Sequence, residues 1–128
     1  MYARAHALLA TGLVRGLPEG RPGRIVLMTS GQGRGPMPNE LAYAASKGAL
    51  EALVVSLAPP FAARGTTINA IDPGPTDTGW MTDRDRAEAR GADGRVGTPE
   101  DVVGLTAFLL GDDAARLSGQ VLRVRSGA

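Results

Sequence analysis

The chain has 128 residues, 43% apolar and 21% charged, so we expect one domain with a packed core and not a disordered chain. A net charge of +1, no Cys and a single His, His6, predict no nucleic-acid or membrane partner and exclude disulfides, thiol catalysis and a multi-His metal site. The N-terminus lacks the long uncharged core of a signal peptide, and the apolar run 52–58 is too short to span a bilayer, so a soluble, cytoplasmic protein is expected.

The first third of the chain is predicted to form a helix, a strand and a loop. Apolar residues in segment 3–17 recur with helical spacing. Segment 24–29 is a continuous apolar run, which is typical of a strand buried on both faces. Segment 30–38 is rich in Gly and Pro and is interpreted as a loop. The predicted apolar stripe of the helix consists of Ala5, Leu8, Leu9 and Leu13.

A second helix and a second strand complete a βαβ crossover. The helix is predicted over 40–57, with Asn39 as its N-cap. We expect it to break near Pro59, because proline in a helix interior costs ~3 kcal/mol or more. Segment 66–71 is a β-branched run, and two strands joined by a helix of this length pair in parallel. The apolar stripe of the second helix consists of Leu50, Leu53, Val54 and Leu57.

The last third of the chain supplies a polar segment, a helix and a third strand. Segment 80–94 is rich in charged residues and predicts a mobile lid or a solvated surface helix. Thr98 as N-cap and Pro99 at the first helical position start a helix that runs to about Leu110. Segment 120–124 is the third strand. Because three parallel strands give little for helices on both faces to cover, the chain is interpreted as part of a larger doubly wound α/β sheet.

A tyrosine and a lysine form the first candidate for chemistry. Tyr43 and Lys47 are separated by one turn on the same face of the second helix. A cation near a phenol favours the phenolate, so this pair could move a proton at a carbonyl or an alcohol. An incidental surface pair is the alternative, since this spacing often arises by chance.

Ser30 and the loop after the second strand lie at one edge of the predicted sheet. In open α/β sheets the binding crevice forms at the carboxyl ends of the strands. The Ser30 hydroxyl can hydrogen-bond to a substrate oxygen there. In the loop, Gly74 after Pro73 lets a ligand approach the backbone, and Thr76 and Thr78 offer hydroxyls. Ordinary turns are the alternative at both places.

Four elements agree in order and spacing with one known family. They are Ser30, Tyr43-x-x-x-Lys47, Asn69-Ala70-x-x-Pro73-Gly74-x-x-x-Thr78 and Ser118-Gly119-Gln120-Val121. The chain resembles the short-chain dehydrogenase/reductase family, and is similar to its 3-oxoacyl-ACP reductase-like members. The resemblance runs from about residue 2 to the C-terminus. It implies that 1–128 is a single partial domain, the C-terminal part of a Rossmann-like doubly wound parallel sheet.

The resemblance also implies an activity. Family members are NAD(P)-dependent oxidoreductases that act on a small-molecule carbonyl or secondary alcohol. By resemblance, Tyr43 is the general acid/base and Ser30 positions the substrate oxygen. Lys47 favours the phenolate and holds the nicotinamide ribose. The cofactor-binding residues implied in this way are Tyr43, Lys47, Pro73, Gly74, Thr76 and Thr78.

Two features depart from the family pattern. The Gly-rich phosphate loop, T-G-x-x-x-G-x-G, does not occur, and the run 31–35 is no substitute because it leads into Pro36 and not into a helix N-terminus. An Asn that the family places before the serine strand aligns with Tyr2. We therefore expect the isolated chain to bind NAD or NADP weakly or not at all, and to be inactive alone.

Other functions stay open. One is a non-catalytic family member that acts as an oligomerisation module, since helices 3–17 and 40–57 commonly pack against a partner subunit in the family. A hydrolase using Ser30 is less favoured, because no G-x-S-x-G motif surrounds it and His6 is the only histidine. His6 is expected to be structural. Trp80 and Met81 belong either to a substrate lid or to ordinary packing. The substrate and the choice of NAD or NADP cannot be predicted.

Overall fold

The computed structural model describes residues 2–124, and its strands form one parallel sheet in the order β1-β2-β3. The strands are β1 (Arg24–Met28), β2 (Thr67–Asp72) and β3 (Val121–Arg123). In the sheet Val26 lies beside Asn69, and Ile71 lies beside Leu122. The predicted α/β fold with three parallel strands and flanking helices is confirmed. The strand ends differ from the predicted ones by about one residue.

Helices cover both faces of the sheet. Within residues 2–124 the helices are α1 (Tyr2–Gly16), α2 (Leu41–Ala62), α3 (Asp83–Glu88) and α4 (Glu100–Leu110), of which α1 and α2 pack on one face of the sheet and α4 on the other. Alternate side chains of β1 point to opposite faces. Ile25 and Leu27 pack in a cluster with α1 and α2, whereas Val26 packs in a second cluster with Leu109 of α4. Every residue of β2 is buried, as expected for a strand covered on both faces, and its two strongly polar side chains, Asn69 and Asp72, are buried with hydrogen-bond partners.

The predicted break near Pro59 is wrong, because α2 continues to Ala62. A proline lacks the N–H that would bond to the carbonyl four residues earlier, here that of Val55. Val55 is exposed, so water can satisfy its carbonyl. Phe61 in the last turn is buried in the core and stabilises the helix beyond the prolines.

Helix α1 forms over Tyr2–Gly16, as predicted, but the stripe of larger apolar side chains is not the face that packs on the rest of the protein. Leu8 and Leu9 are largely exposed, whereas Ala10 and Val14 are buried against α2 and the sheet. A second stripe of helical spacing runs through these smaller side chains, and it permits a close approach of the two helices. Leu13, on the predicted stripe, is exposed as well.

Both predicted N-caps are displaced by one residue. The N-cap of α2 is Glu40, because residues 37–40 form a turn closed by a hydrogen bond from the Glu40 N–H to the Met37 carbonyl, which places Asn39 inside that turn. The N-cap of α4 is Pro99, one residue after Thr98. The Thr98 backbone N–H still donates to the Asp101 carboxylate at 2.8 Å.

Helix α2 is long and apolar enough, by length and composition alone, to cross a membrane. Core helices of globular proteins meet the same criteria. Leu50, Val54 and Phe61 of α2 are buried in the cluster formed with α1 and the sheet, as predicted for Leu50 and Val54. Leu53 and Leu57 of the predicted stripe are partly buried beside them.

Replacing Leu50 by Ala tests this packing. Leu50 is 0% exposed, so Leu50→Ala is expected to lower the free energy of unfolding by about 2–5 kcal/mol through the cavity it leaves. Urea unfolding followed by circular dichroism measures it. Val55→Ala on the same helix is the control; Val55 is 60% exposed, and a change of less than about 0.5 kcal/mol is expected. Equal losses for the two variants would show that α2 does not pack as described.

Candidate active site

A cleft of about 770 Å³ opens at the carboxyl-end edge of the sheet. Four segments form its walls: the loop after β1, the first turn of α2, the loop after β2 and α3. Of the predicted site residues, the cleft is lined by Ser30, Tyr43, Pro73, Gly74 and Thr76. Lys47 lies one turn beyond Tyr43 on α2, and Thr78 lies on an exposed part of the loop that does not line the cleft.

The ladder between β1 and β2 places Ser30 at this edge. The Thr29 N–H donates to the Ile71 carbonyl at 2.9 Å, so pairing continues one residue beyond the end of β1. The Thr29 hydroxyl lies 3.1 Å from a carboxylate oxygen of Glu51 on α2. Ser30 follows directly, half-buried and with an extended backbone. Its position is therefore set by two neighbouring elements.

The Lys47 side chain is buried behind Tyr43. Its ammonium lies 5.7 Å from the centre of the Tyr43 ring and 5.1 Å from that of Tyr2, within cation–π range of both. The ammonium donates to the Met28 carbonyl at 2.9 Å. Lys47 is 8% exposed, whereas Tyr43 is 44% exposed and open to the cleft.

The buried ammonium has donors to spare. An ammonium carries three N–H donors, and no carboxylate among residues 2–124 forms an ion pair with that of Lys47. Burying an unpaired cation is unfavourable unless other groups stabilise it. Two aromatic rings and one carbonyl stabilise the Lys47 ammonium in part. Oxygen atoms of a ligand would accept its remaining N–H donors.

The loop after β2 is held in a turn that glycine makes possible. Gly74 has φ +67°, in the left-handed region that other residues rarely adopt. Its N–H donates to an Asp72 carboxylate oxygen at 2.9 Å. The Thr76 hydroxyl donates to the Gly74 carbonyl at 3.0 Å, and Thr76 pairs with Gly97 as an isolated bridge. The loop therefore presents its backbone to the cleft in a defined shape.

The far wall of the cleft includes Trp80 and Met81, together with residues that the sequence did not indicate. Trp80 is 66% exposed and Met81 is buried. Helix α3 begins with a capping box in which the Thr82 hydroxyl and backbone N–H hold the pKa of the Asp85 carboxyl below its ordinary value, so Asp85 lines the cleft as a carboxylate. The Thr82-x-x-Asp85 spacing is the sequence pattern of such a capping box and could have predicted where α3 begins. The other lining residues missed are Thr29, Gly31, Met37, Glu40, Pro75, Glu88 and Ala89.

His6 lies on α1 next to Tyr2. Its Nδ1 is 2.8 Å from the Tyr2 carbonyl oxygen, and the two rings are 4.6 Å apart. The His6 side chain is absent from the cleft lining. In the part of the chain from 2 to 124, no group of three or more His, Cys, Asp and Glu side chains could hold a metal ion.

The Gly-rich run 31–35 beside the cleft differs in shape from a pyrophosphate-binding loop. The Gly-rich run forms a 3₁₀ turn at Gly31–Gly33 and does not open a helix of the length that receives a pyrophosphate. In addition, Gln32 and Arg34 of this run bond to side chains of the protein.

The fold and the position of the cleft indicate the class of protein. A parallel sheet covered on both faces, with a crevice at the carboxyl ends of its strands, is the arrangement of nucleotide-binding α/β proteins. A family model described as "Enoyl-(Acyl carrier protein) reductase" matches residues 2–128. The chain belongs to the short-chain dehydrogenase/reductase family, as the sequence resemblance predicted.

Three similar proteins illustrate the relationship. "Uncharacterized oxidoreductase YjdA" of Bacillus subtilis is 49% identical over 107 residues, covering 82% of this chain and 43% of that protein. "NADPH-dependent aldehyde reductase-like protein, chloroplastic" of Arabidopsis thaliana is 41% identical over 117 residues, covering 87% and 43%. The crystal structure of the landomycin C-6 ketoreductase LanV with bound NADP and rabelomycin superimposes with a TM-score of 0.83 at 27% identity, covering 98% and 49%. The chain thus spans about half the length of the relatives it matches.

Proposed function

We propose that this chain carries the catalytic residues of an NAD(P)-dependent oxidoreductase that interconverts a small-molecule carbonyl and a secondary alcohol. The observation that carries the proposal is the arrangement at the cleft. The Tyr43 phenol is open to the cleft that Ser30 also lines, and the buried Lys47 ammonium lies behind it. Two of the similar proteins support the cofactor and the reaction class: the ketoreductase LanV was crystallised with bound NADP, and the Arabidopsis protein is named an NADPH-dependent aldehyde reductase-like protein.

The proposed mechanism assigns one task to each side chain. The Ser30 hydroxyl donates a hydrogen bond to the carbonyl oxygen and orients it. Tyr43 delivers its proton to that oxygen as the carbon is reduced. The ammonium of Lys47, close to the Tyr43 ring, stabilises the phenolate that remains. Nicotinamide, when bound, supplies or accepts the hydride.

The same proposal assigns the cofactor contacts. Lys47 would donate its remaining N–H groups to ribose hydroxyls. Pro73 and Gly74 would face the nicotinamide with their backbone, and Thr76, already bonded to the Gly74 carbonyl, would keep that loop in shape. Thr78 is proposed as a further contact. It lies on the exposed part of the same loop and does not line the cleft.

A chimera tests the activity. In it, this chain replaces the matching segment of the Arabidopsis relative, so that a complete family member is assayed with NADPH and a panel of aldehydes and ketones. Carbonyl-dependent oxidation of NADPH is expected. A chimera that folds and binds NADPH but reduces no carbonyl compound would contradict the proposed function.

The isolated chain is expected to bind NADH and NADPH only weakly. Residues 2–124 offer contacts for the nicotinamide end, but the Gly-rich run lacks the helix N-terminus that holds a pyrophosphate. Calorimetric titration of the chain with each cofactor measures the affinity. A Kd of about a few micromolar, worth roughly 7–8 kcal/mol of binding free energy, would show that the chain already contains a complete dinucleotide site.

A non-catalytic role in self-association is the second candidate. It is favoured by large apolar side chains that α1 and α2 leave exposed, although other parts of the chain also expose such residues. On these two helices they include Leu8, Leu9, Leu13, Leu41 and Val55. Sedimentation velocity measures the oligomeric state of the chain. An association module must form oligomers, so a monomeric chain would rule out this second candidate function.

A further inference from the structure

The Gly-rich run 31–35, which the proposed reaction does not use, is held at two points. Three glycines in five residues make this backbone costly to order. Gln32 Nε2 nevertheless donates to Glu51 Oε1 on α2 at 2.6 Å. Arg34 Nε donates to Asp72 Oδ2 at the end of β2 at 2.7 Å. A segment with the composition of a flexible loop is therefore attached to two rigid elements.

The Asp72 carboxylate joins both loops of the cleft. Asp72 is 1% exposed, and a buried carboxylate is strongly unfavourable unless it is paired and hydrogen-bonded. Its Oδ2 accepts from Arg34, and its Oδ1 accepts from the Gly74 backbone N–H at 2.9 Å. Arg123 of β3 adds a weaker contact, with its Nε 3.7 Å from Oδ2. Each oxygen of one buried side chain thus holds one wall of the cleft.

We propose that the Arg34–Asp72 ion pair is a positioning device that couples the loop carrying Ser30 to the Pro73–Gly74 loop and fixes the spacing between them. The coupling itself follows from the contacts alone. Its consequence for substrate binding rests on the proposed function. Without Arg34 the buried carboxylate loses its closest counter-charge and must move or attract water, and the turn at Gly74, which depends on the same carboxylate, moves with it.

The chain offers a matched control. Arg95 forms a two-point ion pair with Asp101 at 2.7 and 2.8 Å, as short as that of Arg34. This pair lies at the surface, with the Arg95 side chain 55% exposed, and neither residue lines the cleft. Surface pairs contribute little to the arrangement of distant groups. Arg95→Leu therefore removes surface arginine–aspartate pairs, including that of Arg95 Nε with Asp93 at 3.2 Å, at residues that do not line the cleft.

The coupling is measured on the full chain by two-dimensional ¹H–¹⁵N NMR and amide exchange. Arg34→Leu is expected to shift the amide signals of both Ser30 and Gly74, and to speed exchange of the Gly74 amide by at least about tenfold, because local opening becomes easier. Arg34→Lys, which retains a positive charge, is expected to show smaller signal shifts and a smaller increase in Gly74 amide exchange than Arg34→Leu. Arg95→Leu changes neither. Unchanged Gly74 signals and exchange in Arg34→Leu would overturn the coupling.

A second variant keeps the test decisive if Arg34→Leu does not fold. Asp72→Asn retains an oxygen for the Gly74 N–H but loses the charge that pairs with Arg34, so the Ser30 signal is expected to shift more than that of Gly74. The same shift at both residues, or at neither, would contradict the division of the two carboxylate oxygens between the loops.

Kinetics of the chimera test the functional consequence. Arg34→Leu is expected to raise KM for the carbonyl substrate by at least about tenfold when assayed below the Tm of the variant, since small displacements of positioned groups are costly. Arg34→Lys, which keeps the positive charge, is expected to reverse part of this rise. Altered NMR signals without any change in KM or kcat would overturn the positioning role. A parent chimera that folds and binds NADPH but has no activity would refute the proposed function instead, while the NMR result would still decide the coupling.

Discussion

Tyr43→Phe is expected to lower kcat of the chimera for carbonyl reduction by about 10²–10⁴-fold, the usual contribution of general acid/base catalysis. The change removes one hydroxyl and keeps the ring against which the Lys47 ammonium lies at 5.7 Å. Tyr43 is 44% exposed, so no buried group loses a partner and stability should hold. Stopped-flow oxidation of NADPH measures kcat.

Two further variants serve as controls for Tyr43→Phe. Ser30→Ala is expected to be milder, because one hydrogen bond to the substrate oxygen is lost and the proton donor remains. His6→Ala should have little effect, since His6 bonds to the Tyr2 carbonyl and lies outside the cleft lining. Near-normal reduction by Tyr43→Phe together with loss of activity in His6→Ala would refute the assignment of Tyr43 as the acid/base.

The sheet could be predicted from the sequence because its strands are buried on both faces. The apolar run in β1 and the β-branched run in β2 have the length of strands, and α2 between them makes the pairing parallel. The end of α2 could not be predicted. Local rules stop a helix at Pro59, whereas burial of Phe61 two residues later, a tertiary contact, decides where it ends.

In the candidate site, too, some features could be predicted from the sequence and others depend on tertiary contacts. The loops that carry Ser30 and Gly74 could be placed at one edge because topology brings the carboxyl ends of parallel strands together. The ion pair between Arg34 and Asp72 joins residues 38 apart in sequence, and no periodicity or motif reports it. The contact of the Tyr2 ring with Lys47 likewise depends on how α1 packs on α2.

The Lys47 ammonium lies in a confined site. Tyr2 and Tyr43 each present a ring to it, and the Met28 carbonyl accepts one of its protons at 2.9 Å. At 8% exposure the group has little room for a larger head. The size of the cation, and not only its charge, should therefore matter for the proposed reaction.

Lys47→Arg in the chimera is accordingly expected to lower kcat/KM nearly as much as Tyr43→Phe, by about 10²-fold or more, although the charge is kept. The planar guanidinium is larger than an ammonium and donates in a fixed fork, so it cannot occupy the space between the two rings and still bond to Met28. Steady-state kinetics measure the loss, and titration with NADPH should show weaker binding as well.

The control for Lys47→Arg is Arg24→Lys, the reverse exchange at a half-buried arginine that lies at the amino end of β1, away from the cleft. It should leave kcat/KM within about threefold of the parent, as expected for a change that touches no reacting group. Because Lys47→Met removes the charge altogether, its comparison with Lys47→Arg separates charge from shape. If Lys47→Arg keeps full activity and Lys47→Met loses it, then charge alone suffices, and the close fit of the ammonium between the two rings has no part in catalysis.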